Sequence, residues 1–295
     1  MERADSATPS PRLLRELRRI LAVVLAGMFL VPNHAAAVEL KPQTIEAFDR
    51  YVKLTEAQID TELARGQPFL WIDRLPQDRR EKAYADLRAG GLAIEKLATL
   101  DDGKPMHAPG GMIHHWSGTI FVPGATLTQT LALVEDYDHH QEFYQPDVMR
   151  SKILEHNGND FRVYLRFYKK KVLTSVIDTE HEVHYQIVDA THAWSRSRSV
   201  SAREVENPGK TDERLLPAGN DRGLLWRINS YWRFEEKDGG TYIECQSISL
   251  TRDIPTGLGW LIGPFVESIP RETITSTLND TRAALLRKSA AAHGQ

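Results

Sequence analysis

Residues 226–251 read WRINSYWRFEEKDGGTYIECQSISLT. At their centre, Asp238-Gly239 suits a two-residue primed turn, in which both central residues take positive φ. With that loop, Lys237 pairs with Gly240, Arg233 with Glu244 and Trp232 with Cys245. An Arg–Glu cross-strand pair is expected on a solvated surface. The other face carries Trp226, Ile228, Ser230 and Trp232 against Cys245, Ser247, Ser249 and Thr251. A close-packed interior would place large aliphatic side chains there. Small residues opposite two tryptophans leave volume, so this face reads as the wall of a cavity. That the closing helix fills the gap is the alternative.

A second hairpin turns at Asp189-Ala190-Thr191-His192. With Ala190 and Thr191 as its loop, one face holds Glu180, Glu182, His184 and Gln186 against Ser195, Ser197, Ser199 and Ser201, which is solvent-like. The other holds His181, Val183, Tyr185 and Ile187 against Val200, Arg198, Arg196 and Trp194. An arginine on an apolar face must find a carboxylate, a phosphate or water. The pair therefore reads as a receptor for an anionic headgroup, which guanidinium groups grip bidentately. Internal ion pairs, or stems that pack while the heads reach water, are the alternatives. A slip of one residue would exchange the faces. The expected ligand contacts are Trp226, Trp232, Tyr185 and Trp194 for an apolar body, Arg196 and Arg198 for a polar end, and His181 and Ser247 on the same wall.

The flanking sequence supplies helices around many strands. Ile45, Phe48, Val52, Ile59 and Leu63 recur at helical spacing from Lys41 to Arg65, where Gly66 ends the run. A second helix is expected from Pro76 to Ala89 before Gly90-Gly91. Phe69, Leu70 and Trp71 between them form an apolar knot able to dock this extension on a larger body. Turn formers at 101–111 mark a boundary. Beyond it come a strand at 112–122, a helix from Thr126, strands near 148–156, 160–177, 179–189, 193–205, 224–236 and 241–253, and a last helix carrying Ile274, Leu278 and Leu285. The chain is thus α+β, with a seven-stranded antiparallel sheet covered on one face.

Arg12, Arg15, Arg18 and Arg19 precede an apolar run from Ile20 to Val31, then Pro32 and Ala35-Ala36-Ala37. These are the parts of a secretory leader, with cleavage expected after Ala37 and a periplasmic or secreted product. The run is too short for a membrane span, which needs roughly 20 residues. The expected organisation is a leader at 1–37, a helical extension at 38–105 and the main domain at 106–290. With 37 Lys and Arg against 40 Asp and Glu, the net charge of −3 argues against nucleic-acid binding. The single cysteine excludes an intramolecular disulfide and any multi-cysteine zinc site. Lys169-Lys170-Lys171 could attract an anionic membrane transiently, although a solvated strand bend explains it as well.

No catalytic motif stands out. His114-His115 and His139-His140 invite a metal, but no spaced ligand set accompanies them, and they are read as surface residues with no metal and no cofactor expected. Neither a nucleophile elbow nor a phosphate-binding glycine loop is present.

Residues 134–148 read VEDYDHHQEFYQPDV. Through Asp136, Tyr137, Glu142, Phe143, Pro146 and Val148 this segment resembles a motif of the polyketide cyclase/dehydrase branch of the START-like (helix-grip) superfamily. His140, Gln141 and one extra residue before Pro146 depart from the pattern. The resemblance spans about three-fifths of the chain, from 112 to 287. It implies a curved antiparallel sheet around a long C-terminal helix, enclosing a cavity for lipids, sterols, quinones or polyketides. The motif is structural and assigns no catalytic residue. The leading expectation is an exported protein that binds or carries a hydrophobic or amphiphilic small molecule, with any protein partner unidentified. The alternative is a cyclase, dehydratase or hydrolase using His181 as acid or base. In a third reading, the N-terminal helices dock a partner.

Overall fold

The computed structural model describes residues 38–170, 174–254 and 259–293. The leader expected at 1–37 and Lys171 lie outside the described residues. In chain order the elements are β1 (Val38–Glu39), α1 (Pro42–Arg65), α2 (Gln77–Arg88), β2 (Ala93–Lys96), β3 (Leu100–Asp101), β4 (Lys104–Pro105) and β5 (Gly111–Pro123). Next come α3 (Leu127–Val134), α4 (His140–Phe143), β6 (Val148–Asn157), β7 (Asp160–Lys170), β8 (Thr174–Ile187) and β9 (His192–Glu206). The chain closes with β10 (Arg214–Leu215), β11 (Asn220–Asp221), β12 (Arg227–Lys237), β13 (Gly240–Arg252) and α5 (Gly259–His293).

The main antiparallel sheet runs β2-β5-β13-β12-β9-β8-β7-β6, with β10 paired to β9. Its eight-strand path exceeds the expected seven because β2, inside the extension, adds an edge to β5. The expected break near residue 178 is also corrected: the described strands β7 and β8 end and begin at Lys170 and Thr174. On the inner face α5 packs Ile274, Leu278, Ala284 and Leu285 into the core with Ile120, Phe234 and Ile243. Close approach needs Gly118, where a Cβ would come within 2.7 Å of Leu278 and 2.8 Å of Ile274. Helix α3 starts on a capping box made by Thr126 and Gln129 and joins the same core. A long helix crossing an antiparallel sheet in this way is the helix-grip arrangement.

Coverage of one face only is corrected. Helix α1 seats Phe48, Tyr51, Val52 and Ile59 on the outer face against Trp226, Tyr231, Ile248 and Leu250. Phe69 to Ile72 dock beside Phe121 and Tyr242. Gly66 stops α1 at φ 75°, the left-handed conformation that glycine adopts without steric cost. Arg282 ties α5 to the extension by donating to the carbonyls of Gly90 and Gly91 at 2.6 and 2.5 Å.

The 226–251 hairpin has the expected register, with Asp238 and Gly239 at φ 56° and 73°. Its Arg233–Glu244 pair is not solvated, because the extension covers it: the two residues are 3% and 1% exposed. Arg233 donates to Glu62 at 2.6 Å and to the carbonyl of Phe69 at 2.8 Å. Glu244 accepts from the Trp71 amide at 2.6 Å. Removing one partner of a buried charge network strands the others. Arg233→Ala is therefore expected to cost about 3–5 kcal/mol in urea unfolding followed by tryptophan fluorescence. A loss below about 1 kcal/mol would class it with surface ion pairs.

Candidate functional site

Side chains on the inner face line up in rows across the strands. Val183, Ser197, Ser230, Ser247 and Trp116 form one row from β8 to β5. Tyr185, Ser195, Trp232, Cys245 and Gly118 form the next. Adjacent strands lie roughly 4.8 Å apart, so Ser197, Ser230 and Ser247 make a hydroxyl stripe about 10 Å wide. Residues this small cannot reach α5, and a cavity of about 150 Å³ remains between sheet and helix. Val163, Leu165 and Phe167 of β7 form its apolar side, and Thr273, Ile274 and Thr277 of α5 form its roof.

The burial of the lining is graded. Tyr137, Tyr144, Tyr185, Ser195 and Cys245 are buried at the closed end, whereas Leu165, Phe167, Ile228, Ser230, Ser247, Thr273 and Thr277 are partly exposed. At the closed end the Tyr137 and Tyr185 hydroxyls meet at 2.8 Å, Tyr185 donates to the Val134 carbonyl, and Tyr144 meets Thr281. Burial pushes the Tyr144 hydroxyl up to about 12 and raises Tyr137, Tyr185 and the Cys245 thiol, so all stay protonated at neutral pH. His181 lies on the wall, with Nε2 2.9 Å from Thr179 Oγ1 and Nδ1 3.2 Å from Ser197 Oγ. Burial pulls its imidazole down to about 4, and His140 behaves likewise. Neither ring is charged near pH 7.

Of the expected ligand contacts, His181, Tyr185, Trp232 and Ser247 line this cavity. Arg196, Arg198, Trp194 and Trp226 do not, which corrects their expected place on the inner face; the two arginines border a separate open cleft of about 460 Å³ with Arg162 and His184. The 189–192 turn is a three-residue loop. Val188 N bonds the His192 carbonyl, and the Asp189 carboxylate accepts from the Thr191 amide and hydroxyl and from the His192 amide. The extra loop residue shifts the register by one, pairing Glu182 with Arg198 and His184 with Arg196. Both arginines thereby move to the outer face, and Ser195 and Ser197 move in. A bulge at Glu180/His181 leaves Val200 unpaired and exposed. Arg196 binds Asp60 at 2.5 Å, and Arg198 reaches Glu56 at 3.4 Å, so both hold α1. Trp194 lies beside Arg196, 6.0 Å from ring centroid to guanidinium carbon. Trp226, just ahead of β12, turns outward under α1, and its indole donates to Asp221.

Sequence reasoning missed Val134, Tyr137, His140, Tyr144 and Val148 as lining residues. Their spacing of three or four residues was the available signal, since it places them on one side of the winding segment after α3. The surface reading of the histidines is also corrected. His114, His115 and His140 are buried, with His115 held between the Tyr51 hydroxyl and Gln246. His139 is exposed and bonds Asp136. Among the described residues no cluster suited to a metal ion is found. Lys169 of the lysine run is paired with Asp147.

A larger open cleft of about 680 Å³ lies between α2 and the β12–β13 turn. Its polar side chains are already engaged: Lys237 with the neighbouring Glu235 and with Tyr84, Tyr84 with Asp73, and Arg88 with Asp238. The smaller enclosed cavity is therefore the better candidate for an apolar guest.

No protein-family model matches the chain, and no curated protein is found similar to it. Solved structures similar to it include an aromatase/cyclase, Zhui, from Streptomyces sp. R1128, 13% identical over 61% of this chain and 98% of its own, with a TM-score of 0.44. A STAR-related lipid transfer protein from Xanthomonas axonopodis is 18% identical over 64% and 98% of the two chains, TM-score 0.42. A START superfamily protein from Mycobacterium smegmatis is 11% identical over 59% and 97%, TM-score 0.39.

Proposed function

We propose that the protein is exported and holds or carries a hydrophobic or amphiphilic small molecule in the cavity between the inner face and α5. The observation that carries this reading is a space of about 150 Å³ with one buried and one partly exposed end. A cavity of that size accepts a benzene-sized group. The guest would thus insert one ring or a short apolar segment and leave the remainder at the open end. Burial of its surface drives binding at about 25 cal/mol per Å² before ordering costs. Export rests on the Arg-rich and apolar segments before Val38, and transient contact with a membrane would be the route of exchange.

Native mass spectrometry of protein purified from its own envelope or medium tests both parts. A mature chain beginning at Val38 and carrying a dissociable lipid- or quinone-sized adduct is expected. An uncut N-terminus would overturn export. Delipidation and rebinding trials with no mass shift would overturn the carrier. The second reading, an enzyme, rests on His181, a neutral imidazole on the cavity wall bonded to Ser197.

A further inference from the structure

The inner face departs from the usual economy of a buried wall, which fills its volume with aliphatic side chains. Four serines, 195, 197, 230 and 247, stand on three neighbouring strands. Ser197 meets His181, whereas no side-chain hydrogen bond within the described protein engages Ser195, Ser230 or Ser247. A hydroxyl both donates and accepts, and these three keep accessible surface in the cavity, so a guest that covers them must supply a partner or leave them unsatisfied at a cost. No Asp, Glu, Lys or Arg joins them in the described lining. The nearby arginines are committed elsewhere, Arg196 and Arg198 to α1 and Arg233 to Glu62.

Resting on the proposed carrier function, we infer that the part of the ligand lying along the hydroxyl stripe is uncharged and bears a carbonyl or hydroxyl oxygen read by Ser197, Ser230 and Ser247. A carboxylate entering the same space would lose its hydration and meet no cation, the costly case of an unpaired buried charge. A plain hydrocarbon would fit and leave the hydroxyls unanswered. The stripe therefore selects against both ends of the polarity scale. Thr179 and Ser197 take both ring nitrogens of His181, which thereby orients the Ser197 hydroxyl.

Three eight-carbon probes separate the cases on the delipidated chain by calorimetry: ethylbenzene, acetophenone and phenylacetate. Acetophenone is expected to bind about fivefold or more tighter than ethylbenzene, the yield of one satisfied hydrogen bond. Phenylacetate is expected to bind at least about 30-fold more weakly than acetophenone. The combined Ser197→Ala, Ser230→Ala and Ser247→Ala variant should bind acetophenone no tighter than it binds ethylbenzene, and a retained cooperative melting transition shows that the variant folds. Equal affinity for ethylbenzene and acetophenone, or a preference that survives the triple variant, would overturn the inference and leave the cavity reading standing. Binding of phenylacetate as tight as that of acetophenone would overturn it as well. Failure of all three probes to bind would remove the cavity reading, and the inference with it.

Discussion

Acidification from pH 7 to about pH 4.5 is expected to remove a large part of the protein's stability, with about two net protons taken up on unfolding. The groups responsible are His114, His115, His140 and His181. Burial pulls His114, His140 and His181 down to about 4 and His115 to about 3, from an ordinary value of 6.5, with Lys96 adding to the effect at His114. Each folded value lies below the unfolded one, so the unfolded chain binds more protons between them. The resulting stability is complete above about pH 6.5 and is lost as the pH falls toward 4. Half of what the shifts imply, about 2 kcal/mol per ring, would approach the whole stability of a typical domain. Glu244, Asp221, Glu135 and Asp280 act in the opposite sense, because burial raises all four carboxyls and their ionised forms weigh on the fold at higher pH. The shifts at Glu135, Asp221 and Asp280 are smaller than those of the imidazoles, so the offset is partial. Urea titrations at half-unit steps should show stability rising by about 3 kcal/mol per pH unit near pH 5.5, the slope of about two net protons after the carboxyl offset. His115→Gln keeps a polar side chain between Tyr51 and Gln246 and should lower that slope by about one proton. A stability flat to within about 1 kcal/mol from pH 4.5 to 7 would show the rings to be solvated.

How much of this could be read from residues depends on the turn in question. Asp238-Gly239 admits one tight loop, and every pairing of the 226–251 hairpin follows from it. Asp189-Ala190-Thr191 contains no glycine, and its geometry is set by a carboxylate reaching forward to Thr191 and His192. Such an Asx turn is visible as an Asp two residues before a Thr, yet that pattern does not state the loop length. One residue of error there carried Arg196 and Arg198 to the wrong face. The helices of the extension were legible from period and caps, but their seat on the outer face was not. Arg233, Glu244 and His115 look like surface residues until a second layer covers them. Burial of a charge is settled by partners from distant parts of the chain, Glu62 and Phe69 for Arg233, and local pattern holds no trace of them.

Ser230→Phe is expected to abolish ligand binding, with at least about a 100-fold loss of affinity, while leaving thermal stability equal or higher. Ser230 stands at the middle of the stripe between Ser197 and Ser247. A benzyl group placed there meets small neighbours and projects toward Thr273 and Thr277 of α5. Its bulk is about that of the benzene ring a 150 Å³ cavity can hold, so the side chain takes the guest's place. Filling a void restores contacts that the surrounding atoms lack, at about 24 cal/mol per Å³ by the converse of cavity formation. This gain offsets the strain of a non-ideal rotamer. Lost binding with a retained or raised melting temperature therefore separates occupation of the site from damage to the fold. Binding that survives Ser230→Phe would place the ligand elsewhere, with the open cleft beside Tyr84 and Lys237 as the next place to test. A melting temperature lowered by more than about 5 °C, the shift given by roughly 2 kcal/mol in a chain of this size, would mean that sheet and helix already close on each other and the hollow does not persist.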